Sequence, residues 1–328
     1  MSPRVAAPER PSVPLPIRLG VSSCLLGQEV RYDGGHKRDR YLTDDLADYF
    51  EWVPVCPELE AGMGVPRPAL RLQSGSGEVR LVEIKSGADR TDELERFSAK
   101  RVRALRGLSL CGYLLKKDSP SCGWTRVKVW NPKGMAERKG QGLFARALCE
   151  AFPGLPVEEE GRLRDAALRE NFIERVFAYA RLKQLFTGRW TAGRVVAFHT
   201  AHKLQLMAHS PAAYRTLGAL VAEVAKTSRA EFRDQYEHLF MEALEKRATR
   251  GRNANVLNHC AGYFKKRIDP DARAELADLV EEYRQGFVPL VVPITLIRHH
   301  ARMHDTAYLA GQTYLEPHPK ELMLRNHV

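Results

Sequence analysis

Three cysteines in the first half of the chain, Cys24, Cys56 and Cys122, are the residues best placed to do chemistry. Each follows an apolar run and lies next to a turn rich in glycine or proline. Thiolates act as metal ligands or nucleophiles, whereas buried free thiols often only fill a core. Three converging thiolates are too few for a closed structural zinc site. They suit an iron-sulfur cluster with one iron open to substrate, and core packing is the alternative because no compact Cys-x-x-Cys run is present.

Short apolar runs predict the strands that would position these thiols. We expect strands at 17–21, 52–55, 69–72 and 79–84, and a buried apolar run at 108–115. We expect helices at 43–50, 90–105 and 143–152. This alternation favours an α/β, Rossmann-like domain with a mostly parallel sheet. Because the carboxyl ends of parallel strands meet at one edge of a sheet, the three cysteines are expected to converge there.

Beyond Pro156 the apolar residues recur with the period of helices, which predicts a C-terminal all-α domain of about six helices. Three signals predict helix starts: Ser210-Pro211, Ser228 with Glu231, and Asp269-Pro270. Gly286 predicts the end of the last of these helices. A Pro-Gly-Leu-Pro turn followed by Glu158, Glu159 and Glu160 is interpreted as the boundary. The predicted organisation is a flexible tail at 1–15, a catalytic domain at 16–156 and a helical domain at 157–328.

The composition is that of an ordinary folded protein with an excess of positive charge. The 328 residues are 44% hydrophobic and 28% charged, with a formal net charge of +11. The first 15 residues lack the apolar core of a signal peptide, and the longest apolar stretch, 287–297, is too short to span a bilayer. We therefore expect a cytoplasmic protein with reduced thiols. The charge permits a polyanionic partner but does not establish one, because it is spread over both halves.

Other polar residues have weaker signals. Cys111, Cys149 and Cys260 lie in apolar patterns and are interpreted as core residues. Five histidines of the helical half either form a second metal site or are ordinary surface and core residues: His199, His202, His299, His300 and His304. Two basic groups at predicted helix ends would complement helix dipoles or bind phosphates: Lys246, Arg247, Arg250 and Arg252, and Lys265, Lys266 and Arg267.

Four motifs, in order, resemble the thiouracil desulfidase family over most of residues 16–155. They are Ser22-Ser23-Cys24-Leu25-Leu26-Gly27, Val30-Arg31-Tyr32-Asp33-Gly34-Gly35, Pro54-Val55-Cys56-Pro57-Glu58 and Ser119-Pro120-Ser121-Cys122-Gly123. The helical half resembles the domain fused to this module in longer members. That architecture is similar to the desulfidases that act on 4-thiouridine in tRNA, whereas single-module members act on free thiouracil.

The resemblance implies a 4Fe-4S cluster held by Cys24, Cys56 and Cys122 with one iron open, and an acid-base pair at Glu58 and Ser119. An open iron would polarise the thiocarbonyl group for attack by water, without net electron transfer. It also implies that tRNA is the substrate and partner, with 4-thiouridine converted to uridine. Without the resemblance, Glu58 would be interpreted as a carboxylate in the first turn of a helix and Ser119 as a cap or turn residue.

Five residues near the same predicted edge are weaker candidates for binding substrate, and a solvated surface role is their alternative: Arg31, His36, Arg67, Lys116 and Lys117. Two rival functions remain open at this point. One is a salvage enzyme that acts on free thiouracil or thionucleotides, with a helical half that only shields or oligomerises. The other is a non-catalytic module that senses metal or redox state.

Overall fold

The computed structural model describes residues 11–13, 15–75 and 77–328. Residues 1–10 and 14 of the predicted tail lie outside this description. The chain divides into two compact units, an α/β unit at 14–164 and a helical unit that contains 165–328. No helix in the described ranges combines the length and the apolar character needed to cross a membrane.

The α/β unit contains eight strands and two α-helices among its described residues. They are β1 (Ile17–Ser22), β2 (Phe50–Val55), β3 (Leu70–Ser74), β4 (Val79–Glu83), α1 (Thr91–Arg106), β5 (Tyr113–Leu115), β6 (Val127–Trp130), β7 (Ala136–Gly140), α2 (Leu143–Ala151) and β8 (Val157–Glu159). The α/β fold class and the helical second half are confirmed.

The first sheet is entirely parallel, with strand order β2-β1-β5-β8. The strands that precede the three cysteines, β1, β2 and β5, are therefore neighbours that point the same way. Gly20 of β1 pairs with Tyr113 of β5. A Cβ atom at position 20 would overlap the Tyr113 ring, so the close approach of these two strands requires glycine.

The second sheet is mixed, with strand order β4-β3-β6-β7 and one parallel pair, β3 with β6. Its buried face contributes Leu72, Leu81 and Val129 to a core that also contains Leu94 of α1 and Leu143 of α2. α1 also packs against α2. This core fixes the beginning of α2, which contacts the loop that carries Cys122.

The predicted helix at 43–50 is wrong. Only a single helical turn, Tyr41–Asp45, forms there, and Phe50 already belongs to β2. The backbone N–H of Ile17 donates to the carbonyl of Tyr49 at 2.8 Å, so pairing with β1 overrides the local helical pattern. The apolar run at 108–115 is regular strand only at its end, in β5.

Two of the three glutamates interpreted as a boundary, Glu158 and Glu159, form part of the first sheet instead. They lie in β8, in which Val157 pairs with Tyr113 and Glu158 with Leu114. All three glutamates are buried or half-buried. The division between the units consequently falls after Arg164, later than the predicted Pro156.

The helical unit contains seven helices of 12 or more residues and one short one within 165–328. They are α3 (Ala166–Phe186), α4 (Ala192–His209), α5 (Pro211–Ala222), α6 (Arg229–Glu245), α7 (Arg250–Gly262), α8 (Pro270–Gln285), α9 (Val291–Met303) and α10 (Ala307–Ala310). The predicted caps are confirmed: Ser210, Ser228 and Asp269 accept backbone N–H groups at helix starts. Gly286 ends α8 with a φ of 92°, which favours glycine.

Candidate active site

A cavity of about 440 Å³ in the α/β unit is lined by all three cysteines of the predicted constellation. Cys24 lies two residues after β1, Cys56 directly follows β2, and Cys122 lies on the loop after β5. The adjacency of these parallel strands is what brings together residues that are far apart in sequence. Glu58, Arg67 and other predicted site residues line the same cavity: Arg31, Lys116, Lys117 and Ser119.

The turn that carries Cys122 is organised by the Ser119 side chain. Ser119 Oγ accepts hydrogen bonds from the backbone N–H groups of Ser121, at 3.2 Å, and Cys122, at 3.0 Å. The Ser119 carbonyl accepts the N–H of Gly123 at 2.8 Å. Because both acceptor sites of the hydroxyl are used, its proton is left to donate, and Ser119 lines the cavity.

The beginning of α2 holds the same loop from the other side. The carbonyl of Ser121 accepts N–H groups from Phe144 at 3.0 Å and Ala145 at 3.2 Å. These are first-turn N–H groups that have no partner within a helix. A Cβ atom at Gly142 would overlap the Ser121 carbonyl, so glycine permits the close contact. Cys122 is thus held on a loop anchored to a packed helix.

Glu58 is fixed through both of its carboxylate oxygens. Oε2 accepts hydrogen bonds from Arg67 Nε at 2.8 Å and pairs with Arg67 Nη2 at 2.6 Å, while Ser121 Oγ donates to Oε1 at 2.7 Å. The side chains of Arg67 and Glu58 are only 4% and 13% exposed. Arg67 also donates from Nη1 to the Gly64 carbonyl at 2.9 Å. Arg67, predicted as a substrate contact, is therefore committed to positioning Glu58.

Burial raises the pKa of all three cavity thiols. The pKa of Cys24 rises to about 11, because burial outweighs the opposing charges of Lys116 and Arg31. Burial also raises the pKa of Cys56, and it holds the pKa of Cys122 well above its ordinary value despite a hydrogen bond with Ser22. The metal-free thiols are thus protonated near neutral pH. Binding of a metal centre would have to displace these protons.

The basic residues around the cavity differ in how far their charges are neutralised. Lys116 Nζ forms an ion pair with Glu160, whose other oxygen accepts the Lys117 N–H at 2.8 Å. The Nε atom of Arg31 lies 3.4 Å from Oδ1 of Asp33. His36 does not line the cavity: it lies on an exposed loop, where its Nδ1 accepts the Arg38 N–H at 3.2 Å.

The three thiols around this cavity are a donor set that an iron-sulfur cluster uses. No three His, Cys, Asp or Glu side chains of the described residues are placed to share one metal ion. In a cluster each cysteine binds a different iron, so three thiols spread around one cavity meet that requirement. Cys24, Cys56 and Cys122 would hold the cluster. Arg31 and Lys117 would favour its negative charge.

Two residues of the site were missed by the sequence reasoning. Ser121 is fully buried behind the cavity, where it holds Glu58. Glu159 is also buried, and its Oε1 accepts the N–H groups of Trp124 at 2.8 Å and Thr125 at 3.3 Å. Glu159 thereby fixes the chain just after Cys122. The second serine of the Ser-Pro-Ser turn was the only signal for Ser121, and nothing in the glutamate run distinguished Glu159.

The fold and the cavity define a class of α/β protein in which three thiols and a fixed carboxylate meet at the carboxyl edge of a parallel sheet. Residues 19–160 match the family model described as 2-thiouracil desulfurase. The chain belongs to this family. Residues 203–319 match a second model, described as a protein of unknown function, DUF1722.

Individual relatives cover about half of the chain each. The uncharacterized protein YbgA of Escherichia coli (strain K12) is 35% identical over 158 residues, which are 48% of this chain and 94% of YbgA. The uncharacterized protein YbbK of Bacillus subtilis (strain 168) is 35% identical over 151 residues, 44% of this chain and 97% of YbbK. A solved structure, the 4Fe-4S-dependent thiouracil desulfidase TudS, is 31% identical over 47% of this chain and 97% of TudS, with a TM-score of 0.38.

Proposed function

We propose that this protein removes sulfur from a thiolated uracil, using a 4Fe-4S cluster bound by Cys24, Cys56 and Cys122. One observation carries the proposal: the three thiols line a single cavity together with a carboxylate, Glu58, that is fixed by hydrogen bonds of 2.6–2.8 Å. Membership of the 2-thiouracil desulfurase family supports the reaction class. A soluble enzyme of the cytoplasm, where thiols stay reduced, is the setting we propose.

The chain's own residues supply acid-base chemistry. When bound, the cluster would supply a Lewis-acidic iron that polarises the thiocarbonyl group. Glu58 takes a proton from the water that attacks the ring carbon, and Arg67 and Ser121 keep its carboxylate aimed into the cavity. Ser119 donates a hydrogen bond from its hydroxyl to the ring of the substrate, and the proton held by Glu58 leaves with the sulfur. Uridine oxygen thus comes from water, and sulfur leaves as sulfide.

The proposed substrate is 4-thiouridine within tRNA. The net charge of +11 and the cationic groups of the helical unit support a polyanionic partner. A base in a folded RNA must leave its stack to enter a cavity lined by buried thiols. We propose that the helical unit binds the tRNA while the thiolated base occupies the cavity.

Anaerobically reconstituted protein incubated with thiolated tRNA tests this proposal, with the near-ultraviolet absorbance of the thiobase as the signal. Loss of the absorbance with release of sulfide is expected. Free 4-thiouracil and 4-thiouridine monophosphate form parallel arms. Turnover of the free base without turnover of tRNA would limit the function to salvage of free thiolated pyrimidines. No turnover in any arm by cluster-loaded protein would contradict the desulfidase proposal.

A further inference from the structure

A second cavity, of about 590 Å³, lies within the helical unit and takes no part in the proposed desulfuration. Residues of α3, α4, α7 and the segment between α6 and α7 line it. Its volume is in the range of sites that bind small organic molecules.

The buried charges inside this cavity compensate one another. Glu174 Oε2 lies 3.4 Å from His209 Nε2, and Glu170 Oε1 accepts from Arg325 Nε at 3.0 Å. Burial disfavours the charged form of His209, but Glu174 outweighs it and raises the pKa of His209. The two carboxylates are therefore committed to the two cations. Because both buried carboxylates are already paired with cations, we expect no cationic ligand in the interior of the cavity.

A polar but uncharged wall adjoins these pairs. Asn253 Nδ2 donates to the Tyr283 hydroxyl at 2.9 Å, and the Tyr314 hydroxyl donates to Asn253 Oδ1 at 3.1 Å. All three side chains are buried and line the cavity. A ligand with hydroxyl and carbonyl groups would find hydrogen-bonding partners here.

The rim of the cavity, in contrast, carries four cationic side chains, of which only Lys246 has a carboxylate within 4 Å among the described residues. Lys246, Arg247, Arg250 and Arg252 all line the cavity. Glu242 lies 3.8 Å from Lys246, whereas the other nearby carboxylate, Glu245, lies 3.7 Å from Arg175. Arg252 Nε is buried without a hydrogen-bond partner among the described residues.

Two of these arginines, Arg250 and Arg252, lie at the N-terminus of a helix. α7 begins at Arg250, and its first turn contains no acidic residue. The Thr249 hydroxyl accepts the N–H of Arg252 at 3.3 Å and so caps the helix. The N-terminus still carries partial positive charge, which favours anions over cations. Both arginines have contacts within the fold, because the Arg250 guanidinium lies over the Tyr283 ring and Arg252 Nη2 donates to the Arg247 carbonyl. No carboxylate of the described residues balances the charge of either arginine. The two arginines fit a site in which backbone N–H groups and guanidinium groups surround a phosphate.

We propose that this cavity binds a phosphate monoester, carried by a ligand about the size of a mononucleotide. Arg250, Arg252 and the first turn of α7 bind the phosphate, while Asn253 and the two tyrosines contact the organic part. The proposal does not depend on the cluster site or on the desulfidase reaction.

Calorimetric titration of the full chain with uridine monophosphate, inorganic phosphate and uridine tests the proposal. Binding of uridine monophosphate, weaker binding of phosphate and no binding of uridine are expected. Equal binding of uridine and its monophosphate, or no binding of either phosphate compound, would overturn it. Competition by RNA with a 5′-phosphate, but not by the same RNA without it, would assign the phosphate to an RNA end. Lack of competition by either RNA would assign it to a free nucleotide, and both results support the phosphate site.

The double variant R250Q/R252Q should weaken binding of uridine monophosphate by at least about tenfold, since each charged hydrogen bond contributes on that scale. The matched control R233Q/R284Q removes the same charge from exposed positions of α6 and α8 that pair with Asp234 and Glu281. It should leave the affinity within about twofold. Equal weakening in both double variants would overturn the proposal. Thermal melting without ligand establishes that each variant is folded.

Discussion

Ser121 Oγ donates a hydrogen bond of 2.7 Å to Oε1 of Glu58, which joins the loop after β5 to the loop after β2. Arg67 binds the other carboxylate oxygen, so neither oxygen of Glu58 is free to swing away from the cavity. Ser119, paired with Glu58 in the sequence interpretation, accepts the N–H groups that close the turn carrying Cys122 and keeps its own hydroxyl proton to donate. The two serines therefore have different tasks: one holds the carboxylate, and the other faces the cavity.

Glu58→Gln should remove the base without disturbing the thiols. We expect turnover to fall by roughly 10²–10⁴-fold, the usual contribution of a general base. The visible absorption of the reconstituted cluster should be retained, because Glu58 is not among the three thiols. Anaerobic assays of sulfide release, with spectra of the same samples, provide the measurement.

Glu51→Gln is the matched control for this variant. Glu51 lies in β2 at an exposed position, where it pairs with Arg18. Its substitution should leave turnover unchanged. If Glu58→Gln retained wild-type turnover, its role as base would be wrong. If neither variant nor the wild type turned over any thiobase while cluster binding was normal, a sensing module would be favoured.

Arg67→Met should lower both stability and turnover, because it leaves a nearly buried carboxylate without its partner. Loss of one member of a buried pair costs about 3 kcal/mol in the free energy of unfolding. The double variant with Glu58→Gln should lose less unfolding free energy than the two single variants added together, by about 1–3 kcal/mol. Urea unfolding of the four proteins measures this coupling. Simple additivity would show that the pair does not act as a unit.

Each of the single variants Cys24→Ser, Cys56→Ser and Cys122→Ser should abolish stable cluster binding. The reason is that the three thiolates are the whole protein ligand set in this proposal. Cys149→Ser is the control, because Cys149 is half-buried in α2 and does not line the cavity. Iron and sulfide content per chain after reconstitution gives the answer. Full iron content in any one of the three cavity variants would remove that cysteine from the ligand set.

His202 should make the helical unit sensitive to acid. Burial lowers the pKa of His202 to about 3, from an ordinary value of 6.5, and its Nε2 has no hydrogen-bond partner among the described residues. The folded state then binds fewer protons than the unfolded state between these two values. The stability contributed by a neutral His202 is complete above pH 6.5 and is lost as the pH falls below it, by about 2 kcal/mol at pH 5.

His202→Phe should remove this loss, since the ring already stacks between aromatic neighbours such as Phe198, 4.0 Å away between centroids. His238→Gln, at an exposed position of α6, is the control and should leave the pH dependence unchanged. Urea unfolding at pH 7 and pH 5 compares the three proteins. An identical loss of stability in wild type and His202→Phe would contradict the assignment.

Sequence reasoning reached the parallel sheet and the meeting of three cysteines because both follow from strands whose apolar runs are short and distinct. It failed at 43–50, where pairing of Phe50 with Ile17 decides the structure. It also misread the glutamate run. A run of charged residues usually indicates a segment exposed to solvent. Here, however, Glu158 pairs with Arg162, Glu159 with backbone N–H groups and Glu160 with Lys116. Arg162 is near in sequence, but the partners of Glu159 and Glu160 lie 35 and 44 residues away, so a local pattern does not contain them.

The most direct test of the account is a single-turnover measurement with cluster-loaded protein and thiolated tRNA in ¹⁸O-labelled water. The account predicts that one sulfide is released for each thiobase lost and that the uridine formed carries ¹⁸O, because water activated by Glu58 supplies the oxygen. Loss of the thiobase without ¹⁸O in the product would contradict the proposed chemistry. Intact thiobase and no sulfide, for tRNA and for free 4-thiouracil alike, would contradict the proposed function itself.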